Sequence, residues 1–435
     1  MQQQYRMFNP DINKTGDKPM NKMITPRLIP ALIAVAFSGT ASASGFQLLE
    51  QNASGLGNAY AGSAAVAENA STIFYNPAGM TELKGISVSV GVNAIRPSFQ
   101  FTNNASTNPV AMGGGAATGG SGGDAAGSWA PLPNGYMAYQ INDKWHIGVG
   151  FGAPFGLATE YDENWIGRYH SIKFDIKTYN LNPSVAYKVN EFISIGVGVN
   201  WQRIEAEYIK RAVLGPGVSA LVTNKLEGDA WGWNVGATIQ PRLDTRIGIS
   251  YRSTIKHKAS GDQNFSNGLS SSAKAEVELP DTFILSAVHN LNDRWDLLAD
   301  ASWTGWSSIP KLTIVSGIAS DSLNLQFRDT WRFAAGANYK VNDAWKLKMG
   351  IAFDQSPVYE AQHRPASLPD NNRTWFSLGL QYAPSKTSTI DVGYSYLKVK
   401  STDVSNDESL AMRGLLSGTY NAHAHIVGMQ YSASF

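Results

Sequence analysis

The sequence contains no cysteine, which excludes a disulfide scaffold and any thiolate metal site. Charge is scarce: Asp, Glu, Lys and Arg make up 16% of the 435 residues, against about 25% in average soluble domains. The charges also nearly cancel, 35 basic against 34 acidic, so no basic excess points to nucleic acid. Long apolar runs are missing, and a mean hydropathy of -0.20 excludes a bundle of membrane helices. What is abundant is glycine, with 42 residues, and aromatic side chains, at 11%. That combination suits tight turns, thin walls and interfacial rings. A membrane β-barrel escapes the hydropathy objection, because only alternate residues of each strand meet lipid.

Alternation is the dominant pattern. Val427, Met429, Tyr431, Ala433 and Phe435 share one face of the last segment, and Gly428, Gln430, Ser432 and Ser434 share the other. The same period of two runs through Ile193 to Trp201, Trp295 to Trp303, Trp331 to Val341, Trp345 to Phe353 and Ile390 to Tyr396. A helical face would repeat at intervals of three and four. Ile141-Asn142-Asp143-Lys144-Trp145, Leu291-Asn292-Asp293-Arg294-Trp295 and Val341-Asn342-Asp343-Ala344-Trp345 form nearly one turn motif, with Val189-Asn190-Glu191-Phe192 as a variant. Asn and Asp favour tight turns, and the ring that follows suits a membrane–water boundary. Residues 241–245 and 383–387 read as two further short turns. Long polar segments alternate with them at 102–131, 158–171, 209–228, 259–272, 307–326, 357–371 and 401–419. Six short turns and seven long loops predict an all-β, fourteen-stranded antiparallel transmembrane barrel.

The head of the chain reads differently. Lys22 and Arg27 precede a short apolar run at 28–37, and Ala41-Ser42-Ala43 supplies small residues at cleavage-site spacing. Residues 1–43 are therefore expected to be a secretory signal, cleaved after Ala43 to leave Ser44. The polar stretch 1–19 is unusual for a signal and places the translation start at Met20 or Met23. Residues 44–84 are too polar for a membrane strand and too long for a turn. Their expected place is inside the barrel as a plug, with the barrel occupying 85–435.

The third strand is the most unusual. Its predicted outward face is Trp145, Ile147, Val149, Phe151, Ala153 and Phe155. Its inward face is His146, Gly148, Gly150, Gly152, Pro154 and Gly156. Glycine and proline in this density weaken a strand, or make room for something packed against it. The segment 209–228 carries Val213, Leu214, Val218, Leu221, Val222 and Leu226, strongly apolar for an exposed loop. No catalytic constellation is visible. His423 and His425 share a strand face without an evident third ligand, no nucleophile motif frames a serine, and no cofactor is expected.

Ser44-Gly45-Phe46-Gln47-Leu48, Ser54-Gly55-Leu56-Gly57, Ala59-Tyr60-Ala61-Gly62 and Asn76-Pro77-Ala78 resemble the amino-terminal hatch of the FadL family, outer-membrane transporters of long-chain fatty acids with TodX-type hydrocarbon channels as relatives. Phe155 to Tyr161, Trp303 to Trp306, Asp329 to Phe333, Gly350 to Pro357 and Pro369 to Trp375 resemble it as well, so the likeness spans the whole mature chain. The resemblance implies a fourteen-stranded barrel with a hatch that includes Phe46, Asn76, Pro77 and Ala78. It implies an inward kink at Pro154, Phe155 and Gly156 that opens the wall to the bilayer. It places carboxylate-binding cations at Lys210 or Arg211 and at Arg328, and an outer docking groove on the apolar 209–228 segment. The terminal Phe435 resembles the signal read by the barrel-assembly machinery. The implied function is passive transport of fatty acids or other hydrophobic small molecules across a bacterial outer membrane and into its lipid. Aromatic or alkane hydrocarbons are the alternative cargo; Trp165-Ile166-Gly167-Arg168-Tyr169 departs from the fatty-acid members. A general porin or an outer-membrane hydrolase barrel are the rival classes.

Overall fold

The computed structural model describes residues 45–123 and 129–435. The expected signal, its cleavage after Ala43 and the start at Ser44 lie outside the described residues.

Fourteen strands form the wall: β1 (Ile86–Asn103), β2 (Ala130–Gln140), β3 (Trp145–Gly152), β4 (Lys173–Lys188), β5 (Ile193–Gly215), β6 (Val218–Arg242), β7 (Thr245–Arg252), β8 (Thr282–Asn290), β9 (Trp295–Thr304), β10 (Thr330–Lys340), β11 (Trp345–Asp354), β12 (Arg373–Ser385), β13 (Ser388–Val399) and β14 (Leu415–Ser434). Each pairs antiparallel with its chain neighbour, and β14 pairs with β1 from Ser87↔Ser434 to Asn103↔Gly418, so the sheet closes. Closure satisfies the backbone internally, as a bilayer requires. Alternate residues such as Val90, Val92, Ile195, Val197, Leu347 and Met349 are exposed, while their neighbours face inward and are largely buried.

The short turns hold the register. Asn142 Oδ1 accepts from the amides of Lys144 and Trp145, both at 2.9 Å, and Asn342 does the same for Ala344 and Trp345. Asn292 and Asn190 repeat the device. Each Trp leaving such a turn lies against a Tyr of the next strand: Trp145–Tyr187 at 4.6 Å, Trp295–Tyr339 at 4.7 Å, Trp345–Tyr382 at 4.5 Å. These pairs build a ring at one rim.

The opposite rim corrects two expectations. Residues 209–228 and 259–272 are not irregular loops. β5 and β6 run on for 23 and 25 residues, well past the roughly 9–11 that cross a bilayer. Ile255–Phe265 and Ser270–Leu279 form a hairpin that joins β6 above β7. Cross-strand ion pairs stabilise these extensions, Lys173–Glu207 at 2.6 Å, Lys225–Glu207 at 3.1 Å and Arg203–Glu227 at 2.6 Å.

Residues 45–83 pack against the inward wall faces. The Asn76 side chain is fully buried, donates to Ala64 O at 2.8 Å and to Ala237 O at 2.9 Å, and accepts from Ala78 N. Lys348 of β11 reaches Glu68 at 2.6 Å, Asp391 of β13 at 3.0 Å and Ser54 O at 2.9 Å. Backbone meets backbone at Gly57 and Gly379, where a Cβ on Gly379 would sit 2.8 Å from Gly57 Cα. Only glycine permits that approach.

The wall is interrupted beside β3. Its pairing with β2 ends at Gly135↔Phe151, and with β4 at Gly152↔Asn180. Pairing with β4 resumes one step out of register, Gly156↔Lys177, along Gly156–Glu160. Among the described residues upper β2 therefore has no strand partner on that side. Gln140 N bonds to Gly85 O on the β1 side. Alternation then turns the nitrogens of Pro131 and Pro133 toward the unpaired side, where neither carries a hydrogen. The outward placement expected for Ala153 and Phe155 is corrected here: both are buried, because the chain leaves the wall after Gly152 and alternation stops.

Candidate functional site

The interruption is where the interior segment and the wall join. Leu48 N donates to Pro154 O at 2.8 Å, and Gly156 N donates to Phe46 O at 2.8 Å. Gln47 and Phe155 form an antiparallel bridge. The Gln51 amide closes the pair, accepting from Ala153 N at 3.0 Å and donating to Ala153 O at 2.8 Å. The displaced wall residues thus recover from 46–51 the backbone partners lost from the barrel ladder. Gly148, Gly150 and Gly152 act beneath this joint. A Cβ on Gly148 would meet Ile73 at 2.6 Å and Met80 at 2.7 Å, and one on Gly152 would strike the Gln51 side chain. These glycines make room for the interior segment, and the break itself lies at Ala153, Pro154 and Phe155.

Above the joint is the largest apolar cluster among the described residues. Phe46 packs on Trp306 at 4.9 Å and on Phe155 at 6.0 Å, and Trp306 packs on Phe327 at 6.0 Å. Leu157, Phe174, Ile176, Ile204, Tyr208 and Leu226 continue it upward, toward Ile314, Leu323 and Leu325 on the strands Lys311–Ser316 and Asp321–Asn324 and the segment after them. The interior ends of β4, β5 and β6 thus present an oily surface that begins near the extracellular rim and stops at the wall break.

The predicted cations are not together. Lys210 on β5 is buried and pairs with Asp321 at 2.6 Å. Arg413 binds the same carboxylate, so two cations share one acid next to Tyr208 and Leu323. Arg211 points to the other face and pairs with Glu163 at 2.8 Å. Arg328 is exposed; its guanidinium donates to Ser356 O at 3.2 Å and lies 5.3 Å from the Tyr359 ring, while Phe327 takes the interior position. Of the apolar 209–228 residues, Val222 and Leu226 are buried on the inner face, Val213 and Leu221 are half-buried, and Leu214 and Val218 are exposed near the hairpin tip.

Sequence reading gave no site role to Gln51, Trp306, Asp321 or Arg413. It also missed Glu50, which is fully buried with both carboxylate oxygens lacking a hydrogen-bond partner. Burial pushes Glu50 up to about 7, against the pull of Arg373 and Arg332.

Residues 34–435 match the family model described as outer membrane protein transport protein (OMPP1/FadL/TodX). Outer membrane protein P1 of Haemophilus influenzae is 31% identical over 471 aligned positions, covering 96% of this chain and 100% of that protein. A long-chain fatty acid transport protein of Escherichia coli is 32% identical, covering 85% of this chain and 91% of that protein. The crystal structure of a Pseudomonas aeruginosa FadL homologue superposes with a TM-score of 0.84 at 27% identity, over 90% of this chain and 100% of that one.

Proposed function

We propose, from the premise that this chain belongs to the OMPP1/FadL/TodX family of outer-membrane transport proteins, that it carries long-chain fatty acids or similarly apolar molecules passively into the outer membrane. Cargo docks on the apolar residues of the β5–β6 extension, slides along the oily surface above Phe46, and leaves sideways between β2 and the end of β3. A fatty tail gains nothing by entering water, so lateral release follows the hydrophobic gradient. Residues 45–83 act as the hatch. A carboxylate head would meet the pair of cations that share Asp321, Lys210 and Arg413, with Glu408 as the further acid nearby.

One observation carries this reading: the segment 46–51 is bonded to the displaced wall residues 153–156 at the foot of the apolar cluster. Moving that segment changes the pairing at the wall break.

The test uses the chain's lack of native cysteine. Gln47→Cys with Phe155→Cys places two thiols at directly opposed bridge positions, about 4.5–5.5 Å apart at Cβ. In a transporter-deficient strain, oleate uptake should fall at least tenfold when the pair is oxidised and return on reduction. Full uptake with the disulfide formed refutes the lateral route. Running toluene in parallel separates fatty-acid from hydrocarbon transport.

A further inference from the structure

The lipid-facing wall at β13, β14 and β1 carries a cluster that transport leaves unused. Along β14 the outward residues run Ala433, Tyr431, Met429 and Val427, then change to His425 and His423. The register sets Arg96 of β1 and Tyr396 of β13 beside His425, and Lys398 of β13 beside His423. Below Arg96 the same face of β1 is Val90, Val92 and Ala94. The change from oil to cation therefore falls within one two-residue step on three adjacent strands. Phe435 lies ten positions beyond His425, and about 9–11 residues of a tilted strand cross the hydrocarbon. The cluster stands at the outer edge of the apolar band, across the bilayer from the Trp–Tyr ring.

Among the described residues no carboxylate pairs with these charges: neither Arg96 nor Lys398 forms an ion pair. The nearest acid along the face, Asp403, accepts from Thr419, two outward positions above His423. Elsewhere on the same rim Lys173, Lys177, Arg203, Lys225 and Lys256 each lie within 3.1 Å of a carboxylate. The rings are ordered as well: Tyr394 Oη and His425 Nδ1 are 2.9 Å apart, and His423, His425 and Tyr396 pack with centroids 5.3–6.2 Å apart.

We infer that this patch binds the phosphate of a phosphorylated glycolipid in the outer leaflet. Arg96 and Lys398 supply charge, the two histidines supply ring N–H donors, and the strands hold all four rigidly. A glycolipid fits better than a free anion, because the patch continues without a step into the apolar face of Val92, Val427 and Tyr394, where acyl chains lie. Unpaired cations at that depth gain most from an anion already fixed in the headgroup layer.

The full chain in detergent micelles, titrated by native mass spectrometry, tests this. Bisphosphoryl lipid A should bind at least tenfold more tightly than phosphatidylethanolamine. Arg96→Gln with Lys398→Gln should lower lipid A affinity at least tenfold and leave phosphatidylethanolamine unchanged. The charge-retaining pair Arg96→Lys with Lys398→Arg should keep most of the affinity, and heat-modifiable gel mobility verifies each variant's fold. Equal lipid A binding by parent and charge-neutral variant overturns the proposal. So does full displacement of lipid A by millimolar inorganic phosphate, which would mark a bare anion site.

Discussion

Replacing Lys348 with Met should unseat the interior segment. The Lys348 side chain is 2% exposed and is bonded to two carboxylates, Glu68 of the segment at 2.6 Å and Asp391 of the wall at 3.0 Å. Methionine keeps the length and loses the charge. Glu68 and Asp391 then face each other with Lys346, 3.7 Å from Glu68, as the remaining nearby cation. Removing one partner of a buried pair costs about 3–5 kcal/mol. At about 1.4 kcal/mol per decade, that shifts the seated-to-unseated ratio roughly a hundredfold to several thousandfold. Planar-bilayer recordings read this directly: the parent should be nearly silent, and Lys348→Met should show frequent opening steps. Adding Glu68→Gln removes the stranded acid on the moving side and should restore most of the silence. A Lys348→Met trace as quiet as the parent refutes the claim that this triad holds the segment. A double variant as leaky as the single one refutes the electrostatic explanation.

Asn76→Ala leaves the carbonyls of Ala64 and Ala237 and the amide of Ala78 without their buried partner, at about 1–3 kcal/mol each; the midpoint of urea unfolding in detergent should drop measurably, and an unchanged midpoint counts against the lock. Lys210→Ala should weaken oleate binding about tenfold while sparing toluene, whereas Arg328→Ala, at an exposed position, should change neither; intrinsic-fluorescence titration distinguishes these outcomes. Glu50 is held above its ordinary carboxylate range, up to about 7, so it takes a proton more readily when the segment is seated. Seating should therefore strengthen as pH falls from about 7 toward 4.5, and Glu50→Gln should reduce the pH dependence of bilayer conductance across that window.

The barrel was legible because its signals are local. A period of two appears within any one strand, and each Asn-Asp turn carries its own hydrogen bonds and its own aromatic ring. The extensions of β5 and β6 were read as loops because, beyond the bilayer, both strand faces are polar or mixed and the oil–polar contrast fades. The outward placement of Phe155 failed for a different reason. Alternation was carried through Pro154, yet the chain had already lost β2 and slipped one step in register against β4. The partnership of Asp321 with Lys210 and Arg413 was invisible, since three segments far apart in sequence, two of them beyond the wall strands, must come together before those charges meet. Gln51 gave no signal either; its value comes from the unpaired amide and carbonyl of Ala153, which exist only because the wall breaks there.

Pro131 and Pro133 have a consequence for how this protein lives among its neighbours. A breach in a sheet normally offers a row of donors that recruits a foreign strand, and crowded barrels would zip together along it. Two imino nitrogens at that rim take away the donors and leave an intruder only carbonyls to pair with. The break in the wall is thereby kept from becoming a seam through which copies of the molecule fuse.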